Sequence, residues 1–233
     1  MEVKQIQVSD SLEDIARIGV VFLKHVANGP VSSTLRKQIE DLAAELRGSL
    51  EGRKLSALES VKRIRKLYHR LGIDPTKDRA SSEKLLRRVV RGRPLPKVNK
   101  LVDAINLVSL RLQCPLGVYD WDQIVAPVLV RIGRPEEGYY GLPQIRPSQD
   151  ESDPERDWIN MHGRLTLVDG ESLFGSPSLD SDRTKVTLGT VRAMVIAWAP
   201  ADAPRNFLES VIHEVTDLAG EYCNAKVASS DIL

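Results

Sequence analysis

The chain has 233 residues, with 42% hydrophobic and 28% charged residues, and 33 Lys+Arg against 32 Asp+Glu for a formal charge of +1. This is the composition of a folded globular chain, which disfavours intrinsic disorder, and no apolar run approaches the roughly 18 residues that a membrane helix needs. The opening Met1-Glu2-Val3-Lys4-Gln5 lacks the basic-then-apolar order of an export signal, so a cytoplasmic protein is expected. Cys114 and Cys223 form neither a disulfide framework nor a CxxC knuckle, and two buried thiols are the expectation.

In chain order, residues 17–26 are β-branched and aromatic and stop at Asn28-Gly29-Pro30, which predicts a strand and turn. Two helices follow over 35–50 and 55–71, separated by Gly52 and ended by Gly72. After a turn-rich loop, Ser81 is the expected N-cap of a helix with Glu83 in its first turn. Its Leu85, Leu86, Val89 and Val90 share one arc, while Lys84, Arg87, Arg88 and Arg91 share the other. Gly92-Arg93-Pro94-Leu95-Pro96 stops it, and the next helix, 99–112, carries Asn99, Asp103 and Asn106 along one edge of its apolar stripe.

Beyond Pro115 the pattern shortens to apolar or alternating runs at 116–119, 128–132, 164–168, 172–174 and 191–198, separated by turns. Residues 143–158 read as an exposed Pro-rich acidic loop, and 205–222 as an amphipathic helix, before a few polar residues end the chain. An α+β fold results, a helical N-terminal half packed on a mostly antiparallel β half. One domain over 1–233 is expected, with sub-lobes 1–75 and 76–233.

Neutral total charge conceals an uneven distribution. Residues 53–100 are rich in Arg and Lys, whereas 136–182 are rich in Asp and Glu. Charge alone leaves two readings open: a polyanion-facing surface, or two regions that pair with each other across the fold. No P-loop, GxGxxG, HExxH or GxSxG sequence is present, so no metal and no cofactor is expected. His213, Glu214 and Asp217 lie on the polar arc of their helix and read as a solvated face. His25 and His69 fall in apolar-periodic segments, where a hydrogen-bonded histidine is the expectation, and His162 opens a strand in the acidic region. Phosphate binding is the direct expectation for Arg87, Arg88, Arg91, Arg93, Lys97 and Lys100, because Arg and Lys contacts to phosphates supply much of nucleic-acid affinity. Only 5% of the residues are aromatic, which argues against reading of single-stranded RNA by stacking.

The segment Val98-Asn99-Lys100-Leu101-Val102-Asp103-Ala104-Ile105-Asn106, followed by Cys114-Pro115-Leu116-Gly117-Val118-Tyr119-Asp120, resembles the editing (B3/B4) domain of the phenylalanyl-tRNA synthetase β subunit. Residues 79–88 and the loop Asp180-Ser181-Asp182-Arg183-Thr184-Lys185 resemble free-standing proteins made of this domain alone. The resemblance implies a three-layer B3/B4-like α+β fold with a central pocket that hydrolyses a mischarged aminoacyl-tRNA. By position, Asp103, Asn106, Gly117, Tyr119, Asp182, Arg183 and Thr184 would border that pocket, with Gly117 standing where the family carries a strand histidine. The implied partners are tRNA or aminoacyl-tRNA, with an amino acid or aminoacyl group in the pocket. Whether the chain hydrolyses the ester, as an aminoacyl-tRNA deacylase acting in trans, stays open. The alternative is an amino-acid binding or sensing protein without RNA binding.

Overall fold

The structure is a computed structural model and describes residues 5–142 and 157–233, so most of the expected acidic loop at 143–158 lies outside the described residues. Its centre is an antiparallel sheet in the order β10-β2-β9-β3, built from Lys226–Ile232, Ala16–Lys24, Arg192–Pro200 and Leu116–Asp120. β2 and β9 lie inside the sheet and are buried on both faces, which is why they read as near-continuous apolar runs. A second sheet, in the order β1-β4-β7-β8, joins Ile6–Val8, Val128–Ile132, Leu165–Val168 and Leu173–Gly175. Its β1–β4 pair is parallel and its other pairs antiparallel. A small ribbon pairs β5, Gly138–Tyr140, with β6, Trp158–Asn160.

The two faces of the central sheet bury different partners. Val21 and Leu23 of β2 and Val195 and Ala197 of β9 pack with helices α1 (Ser33–Ser49), α3 (Ser81–Val90), α4 (Lys100–Leu112) and α5 (Arg205–Cys223). Ile18, Val20, Phe22, Met194, Ile196 and Trp198 point the other way, onto the second sheet and Ile64, Leu67 and Tyr68 of α2 (Glu59–Arg70). The layers therefore run helices, sheet, sheet. Both cores use residues from before and after position 75, since β2 from the N-terminal part lies between β9 and β10.

The expected helix over 55–71 opens with a separate 3-10 turn, Leu55–Ala57, because Leu58 is extended, and α2 begins after it. Ser81 does not cap α3. Ala80 holds the N-cap position, and Ser81 instead donates its backbone N–H to Pro177 O at 2.9 Å. Asn99 does cap α4, its Oδ1 accepting from Val102 N at 2.9 Å. The polar C-terminal residues form edge strand β10, whose Ser229, Ser230 and Asp231 carry no alternating apolar signal and are held by backbone pairing to β2. His25 and His69 are exposed, not buried in the apolar stripes, and Cys114 and Cys223 are buried and free. Among the described residues no helix is long and apolar enough to cross a membrane.

Candidate functional site

Helix α3 exposes its charged arc because Leu86 and Val89 are drawn into the helical core. The result is a groove of about 330 Å³ lined by Arg79, Lys84, Leu85, Arg87, Arg88, Arg91, Arg93 and Pro96. Beneath it lies Glu83, whose side chain is only 1% exposed. Arg65 grips both Glu83 oxygens, at 3.0 and 2.7 Å, and the guanidinium groups of Arg79 and Arg87 stand 3.8 Å from Oε1. One buried carboxylate thus anchors three arginines and cannot neutralise the wider groove. Burial, and then the like charges of Arg79 and Arg91, hold the Arg87 guanidinium below its ordinary value, though arginine stays charged at any physiological pH. Lys84 is exposed along part of its length but donates to Ser178 O at 3.0 Å, and desolvation at that end lowers its ammonium below the ordinary lysine value. Among the described residues, no carboxylate pairs with Arg88, Arg91 or Arg93.

Lys84 marks the boundary between the groove and a polar nest in the interior. There the loop 176–180, after β8, collects three tyrosine hydroxyls. Tyr68 Oη lies 2.6 Å from Ser178 Oγ, Tyr139 donates to Leu179 O at 2.8 Å, and Tyr119 donates to Asp180 Oδ1 at 2.6 Å. Burial pushes the Asp180 carboxyl up to about 7, against the lowering effects of the Tyr119 hydrogen bond, the Ser176 backbone and the Lys84 charge. The same burial raises Tyr119 well above an ordinary phenol, and the charge of Asp180 raises it further.

Tyr119 is fully buried and occupies a slot between the two sheets. Gly117, two residues earlier on β3, shares its face, and a Cβ there would lie 2.1 Å from Tyr119 Oη. Gly175 of β8 closes the opposite wall, where a Cβ would lie 2.3 Å from the same oxygen. Phe174 meets the ring edge-on at 5.2 Å. The space opened by a glycine at position 117 is therefore filled by the chain's own phenol.

The remaining residues expected at a pocket do not converge on this slot. Asp103 and Asn106 belong to α4, which packs on the opposite face of the central sheet from Gly117 and Tyr119. Asp103 is buried, accepts from Val98 N at 3.1 Å through Oδ1, and leaves Oδ2 without a partner; burial raises its carboxyl. Arg183 is a strap, donating to Asp169 Oδ2 at 2.9 Å and to Gln123 O at 2.8 Å. Burial opposes ionisation of Asp169, yet the backbone N–H groups of Ser172, Val125 and Glu171, with Arg183, hold it below the ordinary aspartate value. Asp182 pairs with Lys185 at 2.6 Å, and Thr184 is buried with its hydroxyl unpartnered. Of the expected phosphate-binding residues, Arg87, Arg88, Arg91 and Arg93 share the groove. Lys97 is exposed before α4, and Lys100 lays its side chain against Gly29, so neither lines it. His213 is exposed and lies 3.4 Å from Asp217, and no group of three His, Cys, Asp or Glu that could hold a metal occurs among the described residues.

Sequence reasoning missed Asp180, Tyr139, Tyr68 and Ser178 as a group, because three separate segments bring them together; the one local hint was a tyrosine two residues after a glycine on a strand.

A family model described as the B3/4 domain matches residues 63–222. Among solved structures, the chain is similar to a crystal structure of an N-terminal fragment of the phenylalanyl-tRNA synthetase β-subunit from Pyrococcus horikoshii, at 12% identity and a TM-score of 0.47. That likeness covers 95% of this chain and 49% of the fragment, so the chain spans about half the fragment's length. No curated protein sequence matches.

Proposed function

The chain belongs to the B3/4 domain family, and from that premise we propose that it is a tRNA-binding module that takes hold of the phosphate backbone through the α3 groove. The observation that carries this reading is the groove's lining: six cationic side chains, Arg79, Lys84, Arg87, Arg88, Arg91 and Arg93, around one cavity. Several arginines on one face suit phosphate oxygens because each guanidinium presents a planar fork of donors. The neutral total charge of +1 keeps attraction local, which favours one RNA-binding face over indiscriminate polyanion binding.

Binding is favoured over trans hydrolysis of an aminoacyl ester. Ester hydrolysis calls for a positioned water and donors around the carbonyl. At Gly117 the space is taken by the Tyr119 ring, and Tyr119's hydroxyl is already committed to Asp180. The same filling speaks against a free amino acid held there.

The test is a titration of the protein with tRNA at two salt concentrations, beside a deacylation panel of correctly and incorrectly charged tRNAs. Salt-sensitive affinity, lost in Arg91→Glu with Arg93→Glu and without ester release, is the expected result. Affinity for free amino acids with no salt-sensitive tRNA binding overturns the reading. Release of an amino acid from one mischarged tRNA overturns the preference for binding alone.

A further inference from the structure

The α3 groove does not end at the loop that follows the helix. Beside residues 92–95 lies a second groove of about 270 Å³, whose wall includes Arg36, Glu40, Arg47, Val89, Arg93 and Leu95, the one carboxylate, Glu40, being paired with Arg36. Arg93 lines both grooves.

The loop between them is a fixed ridge. Gly92 takes φ +70 and closes α3 with a pair of reversed bonds, Gly92 N to Val89 O at 2.9 Å and Arg93 N to Arg88 O at 3.0 Å. Arginines from both helices then pin the loop carbonyls: Arg88 Nε donates to Pro94 O from α3, and Arg36 Nη1 donates to Leu95 O at 3.2 Å from α1. Leu95 is buried below, and Pro94 and Pro96 restrict the backbone on either side. Arg36 is committed to this support and to Glu40 at 2.7 Å. Arg47 is not: it is exposed on α1, its Nη1 reaches within 3.7 Å of the point that a Cβ on Gly92 would occupy, and among the described residues no carboxylate pairs with it.

Building on the reading above, we propose that the two grooves form one track for the sugar–phosphate backbone of a single RNA strand, which crosses the ridge at Arg93 and reaches Arg47 on α1. A lone phosphate would engage one end only. Cations standing before, on and after a rigid ridge match successive phosphates of one strand, the arrangement by which basic grooves follow a backbone. A track that climbs over a ridge suits a flexible strand; a stiff duplex would have to bend to follow it.

The test uses the full chain with uridine monophosphate and labelled oligouridylates of increasing length, with the dissociation constant followed against salt. Affinity should rise with length and then level off, with the monophosphate bound most weakly. Arg47→Ala, on an exposed helix position, should keep the melting curve of the parent and reduce the magnitude of the salt slope by about 0.7, the share of one phosphate contact on a single strand. If Arg91→Ala and Arg93→Ala weaken binding while Arg47→Ala leaves affinity and slope unchanged, the track stops at α3; the extension falls and RNA binding at α3 stands. If none of the three weakens binding, both fall. Equal affinity for a duplex and a single strand of the same length overturns the single-strand assignment.

Discussion

The Tyr119 hydroxyl donates a 2.6 Å hydrogen bond to Asp180 Oδ1 from within a slot whose walls are the backbones of Gly117 and Gly175. Burial carries the Asp180 carboxyl from 3.8 to about 7, so the folded protein holds a proton there that the unfolded chain releases. A raised carboxyl contributes stability that is fully present below its unfolded value and is lost as pH rises through its folded value. Urea midpoints should therefore decline between pH 3.8 and about 7, and Asp180→Asn, which stays neutral throughout, should flatten that decline. Parallel pH profiles for the two proteins would show that Asp180 is ionised in the fold.

The same slot predicts an interaction between two glycines and a ring. A methyl at position 117 would sit 2.1 Å from Tyr119 Oη, and the ring cannot swing away because Gly175 and Phe174 bound its other sides. Gly117→Ala should destabilise by ~1–3 kcal/mol through overpacking. In a Tyr119→Ala background the added methyl enters vacated space, so its cost should fall towards zero. Equal costs in both backgrounds, read from a double-mutant cycle of urea denaturation, would mean that Tyr119 does not fill the space beside Gly117.

How much of this was legible in the sequence depended on how local each feature is. α1 and α4 show because their apolar residues follow the helical repeat, and β2 shows as a β-branched and aromatic run stopped by a turn, whereas the capping of α4 by Asn99 was not read from the sequence. β10 did not show, since an edge strand is held by backbone bonds that leave no side-chain period. The arginines of α3 were readable as an arc, but their union with Arg47 required α1 to fold back beside the 92–96 loop. Gly117 was readable as a missing side chain, while its filling by Tyr119 depended on Gly175 of another sheet. Asp103 and Asn106 shared a helix edge, but α4 packs on the far face of the central sheet from Gly117 and Tyr119, which the sequence could not show.

Glu83 is the structural anchor of the basic surface. Its side chain is 1% exposed and bound at both oxygens by Arg65, whose own side chain is 16% exposed. Removing one partner of such a pair leaves the other charge buried and alone, at a cost of ~3–5 kcal/mol. Glu83→Gln and Arg65→Ala should each approach that loss in urea denaturation, and the double variant should lose less than their sum because the second substitution removes the stranded group. Additive losses would indicate that the pair is not coupled.

Gly92 sets the ridge that the RNA track is proposed to cross. At φ +70 it occupies the left-handed region, where an ordinary side chain costs ~1–2 kcal/mol. Space is not the constraint, since the nearest atom to an added Cβ is Arg47 Nη1 at 3.7 Å, an ordinary contact. The penalty is therefore conformational, and it should rank by tolerance of that region. Gly92→Asn should lose less melting temperature than Gly92→Ala, because asparagine accepts the left-handed position at helix ends. Release of the turn also frees Arg93 N from Arg88 O, so the variant that melts lower should bind oligouridylate more weakly at a temperature where both remain folded. Equal melting of the two variants would mean that the turn is held by the Arg36 and Arg88 contacts to the loop carbonyls and not by the glycine.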